Sequence, residues 1–157
     1  ILRAWQGWLQ DKGSLTQRLV DASNGQFSVR VVRNQWGIPR AYEAKILKLK
    51  PRQRAIIREV ELLCHGQVWV CARSIIPHGT LTGRLRRFKN IGDKPLGALL
   101  FKHPNMVRGP LQVTCLIQQP SLQQHWARRS VFYLDDKAIL VTEVFMPPMA
   151  TISPQDV

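Results

Sequence analysis

The chain has 157 residues, 45% of them hydrophobic, and carries 23 Lys+Arg against 10 Asp+Glu for a net charge of +13 at pH 7. A length near ~150 residues fits one domain around one core, here expected over residues 1–157. That apolar content excludes a disordered charged tail, and no uncharged apolar run approaches the roughly 18 residues of a membrane helix.

Ile1, Trp5, Trp8 and Leu9 recur at helical spacing, which predicts an amphipathic helix over 1–11. Gly13 breaks it, and Ser14 is placed to cap a second helix carrying Leu15 and Leu19. Phe27, Val29 and Val31 alternate as in a strand. Residues 37–52, with Gly37, Pro39, Pro51 and several lysines, read as an exposed connector holding at most a short extended piece.

Residues 53–77 form the most informative stretch. A period of two puts Ile56, Arg58, Val60, Leu62 and Cys64 on one face of a strand, and Trp69, Cys71, Arg73 and Ile75 on one face of the next. A two-residue His65-Gly66 loop makes Cys64 face Gln67, and in that register Arg58 sits directly across from Arg73. Thr80 to Ile91 reads as a loop and short basic helix. Pro95 suits the first turn of a helix through Leu96, Leu99 and Leu100. A strand over 107–118 follows, then Ser130, Phe132 and Leu134 before an Asp135-Asp136-Lys137 turn. The last strand runs from Ala138 to Met146 and stops at Pro147 and Pro148. Early helices followed by hairpins predict an α+β fold with one antiparallel sheet.

Cys64, Cys71 and Cys115 are an odd number, which disfavours a disulfide framework and suits a reducing cytoplasm. None has the spacing of a zinc ligand pair, and the four histidines are scattered, so no metal site is expected. The pattern of a secretory signal is missing. The chain opens on Ile1 rather than Met, so a short leader or disordered start is expected ahead of it.

A pI near 10.7 first suggests nucleic acid. Basic residues gather over Arg40–Arg58 and Arg84–Arg108, but no zinc finger, RNP pattern or GXXG clamp accompanies them. The five tryptophans are not interleaved with them as a stacking platform requires. Nucleic acid is therefore not the expected partner; a solvated basic surface that draws in small anions is.

Two arginines facing each other across a sheet repel, and desolvating either one unpaired costs several kcal/mol. Something anionic should stand beside Arg58 and Arg73. Glu143, which interrupts Ile139, Val141 and Phe145 on one strand face, is a candidate. Two accounts fit: a structural Arg–Glu pair, with Arg128 or Arg129 involved, or a closed pocket for a small carboxylated molecule, whose planar carboxylate suits the guanidinium fork. Glu59 and Glu61 fall on the opposite face and are expected to be solvated. Cys71 reads as a small apolar filler beside the pocket and His78 as a surface residue. No Ser-His-Asp elbow, Walker loop or dinucleotide glycine pattern appears.

Ile57-Arg58-Glu59-Val60, Ala72-Arg73-Ser74 within Trp69–Pro77, Thr80-Leu81-Thr82-Gly83, Lys94-Pro95-Leu96-Gly97, Arg128-Arg129-Ser130 and Leu140 to Pro147 follow one another in order. With Ser14-Leu15-Thr16 ahead of them, they resemble the chorismate lyase family from about residue 5 to residue 148. The resemblance implies a monomeric, cofactor-free α+β enzyme of the cytoplasm whose helices cover an internal cavity. It implies cleavage of chorismate to 4-hydroxybenzoate and pyruvate, an early step of ubiquinone-type quinone biosynthesis. It also implies that Arg58 binds the ring carboxylate together with the backbone N–H groups of Leu15 and Leu96. Arg73 and Glu143 would be catalytic at the other end, near the ring hydroxyl and the enolpyruvyl ether. There Arg73 would offset developing negative charge, and a Glu143 held protonated in an apolar setting would assist the leaving oxygen. Three departures are a Leu at 15 where some members have Met, an Ala at 72 where some have Gly, and a shorter N-terminal segment. The rival is a non-catalytic small-carboxylate effector-binding domain of the kind found in bacterial transcription regulators, because fold alone does not imply a reaction.

Overall fold

The structure, a computed structural model, describes residues 2–151. Ile1, part of the first expected helix, and residues 152–157 of the expected domain lie outside the described residues. Helix α1 spans Leu2–Leu9 and α2 spans Leu15–Ala22. Ser14 caps α2 as its side chain predicts: its Oγ accepts the Gln17 N–H at 3.2 Å. Trp5, Trp8 and Leu9 bury against the sheet, with Trp5 stacked on Phe145 at 6.4 Å between ring centroids. Among the described residues no helix is long and apolar enough to cross a membrane.

Among the described residues the seven strands are β1 (Phe27–Gly37), β2 (Ala55–Cys64), β3 (Gln67–Pro77), β4 (Met106–Arg108), β5 (Gln112–Gln118), β6 (Gln123–Leu134) and β7 (Lys137–Phe145). They form one antiparallel sheet in the order β1-β2-β3-β7-β6-β4, with β5 also pairing β6. The expected α+β class and antiparallel sheet are present. Two local expectations are corrected. The strand read over 107–118 is broken into β4 and β5 at Gly109-Pro110, because proline has no N–H to donate to a ladder. The connector over 37–52 contains helix α3, Ala41–Ile46. Glu43 Oε1 accepts the Arg40 N–H at 2.8 Å, tying down the first turn, and Ile46 and Leu47 pack on Ile57, Ile75 and Leu140.

The β2–β3 hairpin carries the third correction. Its loop is as expected, with Cys64 opposite Gln67 and with His65 and Gly66 both at positive φ, 53° and 74°. Leu63 pairs with Val68, but Leu62 pairs with Val70, so Trp69 is an extra residue in β3. This bulge lets consecutive Trp69 and Val70 both enter the cluster that holds α1 and α2 on the sheet. A one-residue slip moves every later side chain of a strand to the opposite face. Arg58 therefore faces Ser74, and Arg73 faces Glu59.

One face of the sheet carries two apolar clusters. The first gathers Trp5, Trp8, Leu15 and Leu19 with Val60 and Leu62. The second packs helix α4 (Leu96–Lys102) and the 3₁₀ segment Gly83–Asn90 on Phe132, Ile139 and Val141. A cavity lies where the two meet.

Candidate active site

The cavity is floored by β2, β3, β6 and β7 and roofed by the starts of α2 and α4. Strand periodicity aims Arg58, Val60, Ala72, Ser74, Val141 and Glu143 at it; Leu15, Thr16, Leu96 and Gly97 close it. Its atom-free space, open mouth included, is about 560 Å³. The two roof helices meet closely. A Cβ on Gly97 would stand 3.1 Å from Thr16 Oγ1, so a side chain there would press on the seam.

Arg58 is 1% exposed. Its Nη1 donates to the Gly92 carbonyl and its Nη2 to the Lys94 carbonyl, both at 2.8 Å. Gly92 sits at φ +63°, a left-handed conformation that suits glycine and helps turn this loop over the guanidinium. Burial draws the Arg58 pKa below the usual arginine range, with Asp93 opposing. Its Nε has no hydrogen-bond acceptor among the described residues. Leu15 and Leu96 begin α2 and α4, so their N–H groups are among those that a helix leaves without an intrahelical acceptor. Such N–H groups favour an anion.

Glu143 stands elsewhere in the same lining, between two further arginines. Arg128, opposite it on β6, donates from Nε to Glu143 Oε1 at 2.9 Å. Its Nη1 donates to the carbonyls of Trp8 (3.0 Å) and Asp11 (2.7 Å), which anchors the end of α1 to the sheet. Arg108 Nη2 lies 3.8 Å from Glu143 Oε1. Its Nε donates to Ser130 Oγ at 3.0 Å, and its guanidinium lies over the Phe132 ring at 4.8 Å. Burial lowers the Arg108 pKa, and the neighbouring Arg128 charge lowers it further, against Glu143 and Asp11. The apolar setting expected for Glu143 is instead one flanked by guanidinium groups.

Arg73 is not in this cavity. The bulge turns it to the other face, where its Nε and Nη2 donate to the two Glu43 oxygens at 2.8 and 2.9 Å and its Nη1 donates to Glu59 at 3.0 Å. The expected Arg58–Arg73 pair and the catalytic placement of Arg73 beside Glu143 are thereby corrected. Cys71 also lies off the cavity; it borders Glu61 and Arg30 on the other face, where Glu61 is ion-paired with Arg30 at 2.8 Å rather than merely solvated. His78 is exposed and packs on Trp36, as a surface residue should. The site groups that sequence reasoning missed are Arg108 and the loop carbonyls of Gly92 and Lys94. Nothing in the sequence marks the carbonyls, and Arg108 is hidden by the misplaced strand boundary at Gly109-Pro110. Arg128 was in view only as a member of a structural pair with Glu143.

A cavity lined by the guanidinium groups of Arg58, Arg108 and Arg128, one carboxylate and two helix starts has the chemistry to hold a small anionic organic molecule. The family model described as chorismate lyase matches residues 2–153. The chain is 41% identical over 140 residues to a "probable chorismate pyruvate-lyase" of Marinobacter nauticus, covering 89% of this chain and 74% of that protein. It is 34% identical over 157 residues to a protein of the same description from Methylococcus capsulatus, covering 94% and 97%. The chain belongs to the chorismate lyase family. Among solved structures, the C-terminal domain of the histidine utilization repressor from Pseudomonas syringae pv. tomato matches with a TM-score of 0.62 at 9% identity, covering 78% of this chain and 93% of that one. The effector domain of PhnF from Mycobacterium smegmatis matches at 0.59 and 13%, covering 87% and 90%. At such identities these likenesses concern the fold alone.

Proposed function

We propose that residues 1–157 act as one chorismate lyase domain that eliminates pyruvate from chorismate and leaves 4-hydroxybenzoate. Arg58, with its unpartnered Nε and the N–H groups of Leu15 and Leu96, takes the ring carboxylate. Glu143 stands at the other end of the ligand, near the ring hydroxyl and the ether oxygen. The ring carbon–oxygen bond breaks with its electron pair on the enolpyruvate oxygen, and a ring carbon gives up its hydrogen as the ring becomes aromatic. On balance that proton ends in the methyl group of pyruvate. Aromatisation supplies much of the driving force, so the protein mainly holds the substrate and stabilises the departing enolpyruvate. The reading needs no cofactor, and the family resemblance carries the expectations of a cytoplasmic monomer and of a place in ubiquinone-type quinone synthesis. The observation that carries the reading is the buried Arg58 fork, clamped by two carbonyls in a cavity that also holds Glu143.

The test is to mix the purified protein with chorismate and follow both products by absorbance and chromatography. Equal amounts of 4-hydroxybenzoate and pyruvate are expected. Absence of turnover, with thermal stabilisation by 4-hydroxybenzoate, would instead mark an effector-binding domain, a reading favoured only by the shared fold.

A further inference from the structure

The cavity holds three arginines, Arg58, Arg108 and Arg128, against a single carboxylate, Glu143. Within the lining, three positive charges less one negative leave an excess of two, which Asp93 near Arg58 and Asp11 near Arg108 offset only in part. Burying cations without compensation costs several kcal/mol each, so the excess calls for anionic charge from a ligand. A ligand with one carboxylate covers half of it.

The excess is divided in space. Arg58 is on β2 and Arg128 on β6, with β3 and β7 between them, a separation of roughly 14 Å between backbones at about 4.8 Å per strand. Both side chains line the same cavity, so it has an arginine at each of two separated positions. Each of these two arginines is 1% exposed, and each keeps one N–H nitrogen without an acceptor among the described residues: Nε of Arg58 and Nη2 of Arg128. The other nitrogens of Arg128 are taken by Glu143 and by the carbonyls of Trp8 and Asp11, which hold the guanidinium in place. Arg108 approaches the same Glu143 oxygen from β4.

We infer that Arg128, supported by Arg108, binds the second carboxylate of a doubly anionic substrate, the one carried on the enolpyruvyl side chain, and so sets the preference for substrate over the singly charged aromatic product. This rests on the lyase reading above. The resemblance placed Arg73 at this end of the ligand, whereas the arginines that line the cavity beside Glu143 are Arg128 and Arg108. Arg128 and Arg108 also grip the end of α1 and the turn after it, through the carbonyls of Trp8, Asp11, Lys12 and Gly13. That turn leads directly into Leu15, so the group that binds the second carboxylate also steadies the roof over the first.

The experiment measures two affinities in each variant: KM for chorismate and Kd for 4-hydroxybenzoate. Arg108→Gln and Arg128→Lys should raise KM for chorismate roughly tenfold to hundredfold, the scale of a lost charged hydrogen bond. They should leave Kd for the monocarboxylate product within about threefold. Arg58→Lys serves as the contrast, because it should weaken both ligands together. Thermal unfolding identifies a variant that does not fold, and Arg108→Gln then carries the test, as it leaves the Arg128–Glu143 pair in place. Equal weakening of substrate and product, or no change in KM in a folded variant, would overturn the inference. A wild-type protein that binds 4-hydroxybenzoate without cleaving chorismate would instead overturn the lyase reading on which it rests.

Discussion

Arg73 and Glu43 form a two-pronged ion pair on the face of the sheet away from the cavity, at 2.8 and 2.9 Å. Glu43 is fully buried and Arg73 partly buried. The pair fastens α3 to β3 and explains why a six-residue helix is stable where the sequence reads as a connector.

Replacing Arg73 by Met should therefore act on stability. Removing one partner of a buried pair leaves the other charge uncompensated, and the expected loss is about 3 kcal/mol. Turnover per folded molecule should stay near wild type. Urea unfolding and kcat at low temperature check the two halves. A folded Arg73→Met protein with normal stability and no activity would return Arg73 to the catalytic machinery.

Acid should weaken the same joint. Burial pushes the Glu43 carboxyl up, but hydrogen bonds from Arg73 and the Arg40 N–H, with their charges, outweigh it and hold the group below its ordinary value of 4.5. A carboxyl whose pKa is lower folded than unfolded binds protons preferentially in the unfolded chain. Its stabilisation is present above pH 4.5 and is lost as pH falls through the lower folded value. Glu43→Gln should remove this part of the acid sensitivity while lowering stability at pH 7. Parallel stability–pH curves for the two proteins below pH 5 would contradict it.

These two predictions concern the part of the molecule that sequence reading got wrong, and the reasons are physical. The His65-Gly66 loop, the capped α2 and the strand face carrying Glu143 were legible because turn chemistry, capping and a period of two are local. The bulge at Trp69 was not. It is chosen by tertiary packing, in which two successive large residues both gain burial, and no local signal in Val68-Trp69-Val70 announces it. One extra residue was enough to move Arg73 to the opposite face. Helix α3 escaped for a similar reason: its short run of Tyr, Glu and Lys owes its stability to an ion pair with a distant strand. Arg58 was identifiable because a lone charge on an apolar strand face needs a partner. Its partners are carbonyls of the loop at 92–94, which no side-chain pattern encodes.

The two-carbonyl clamp on Arg58 makes a further prediction. Lysine keeps the charge but cannot donate to the Gly92 and Lys94 carbonyls and a ligand in the same planar geometry. Arg58→Lys should weaken 4-hydroxybenzoate binding roughly tenfold to hundredfold, measured by calorimetry or by quenching of tryptophan fluorescence. Unchanged affinity would remove Arg58 from the carboxylate site.

Glu143→Gln separates binding from chemistry. The amide can still accept from Arg128 Nε but cannot balance the guanidinium charges. If Glu143 takes part in the elimination, kcat should fall by about a hundredfold or more, with a smaller change in product affinity. Single-turnover kinetics would resolve the chemical step from product release, and an unchanged chemical step would exclude the role.

The most direct measurement is pyruvate release from chorismate by the wild-type protein, Arg58→Ala and Arg73→Met side by side, with 4-hydroxybenzoate measured in the same samples. The cavity account predicts matched products from the wild type, matched products from Arg73→Met, and almost none from Arg58→Ala at substrate concentrations that saturate the wild type. No pyruvate from the wild type, or undiminished release by Arg58→Ala, would contradict it.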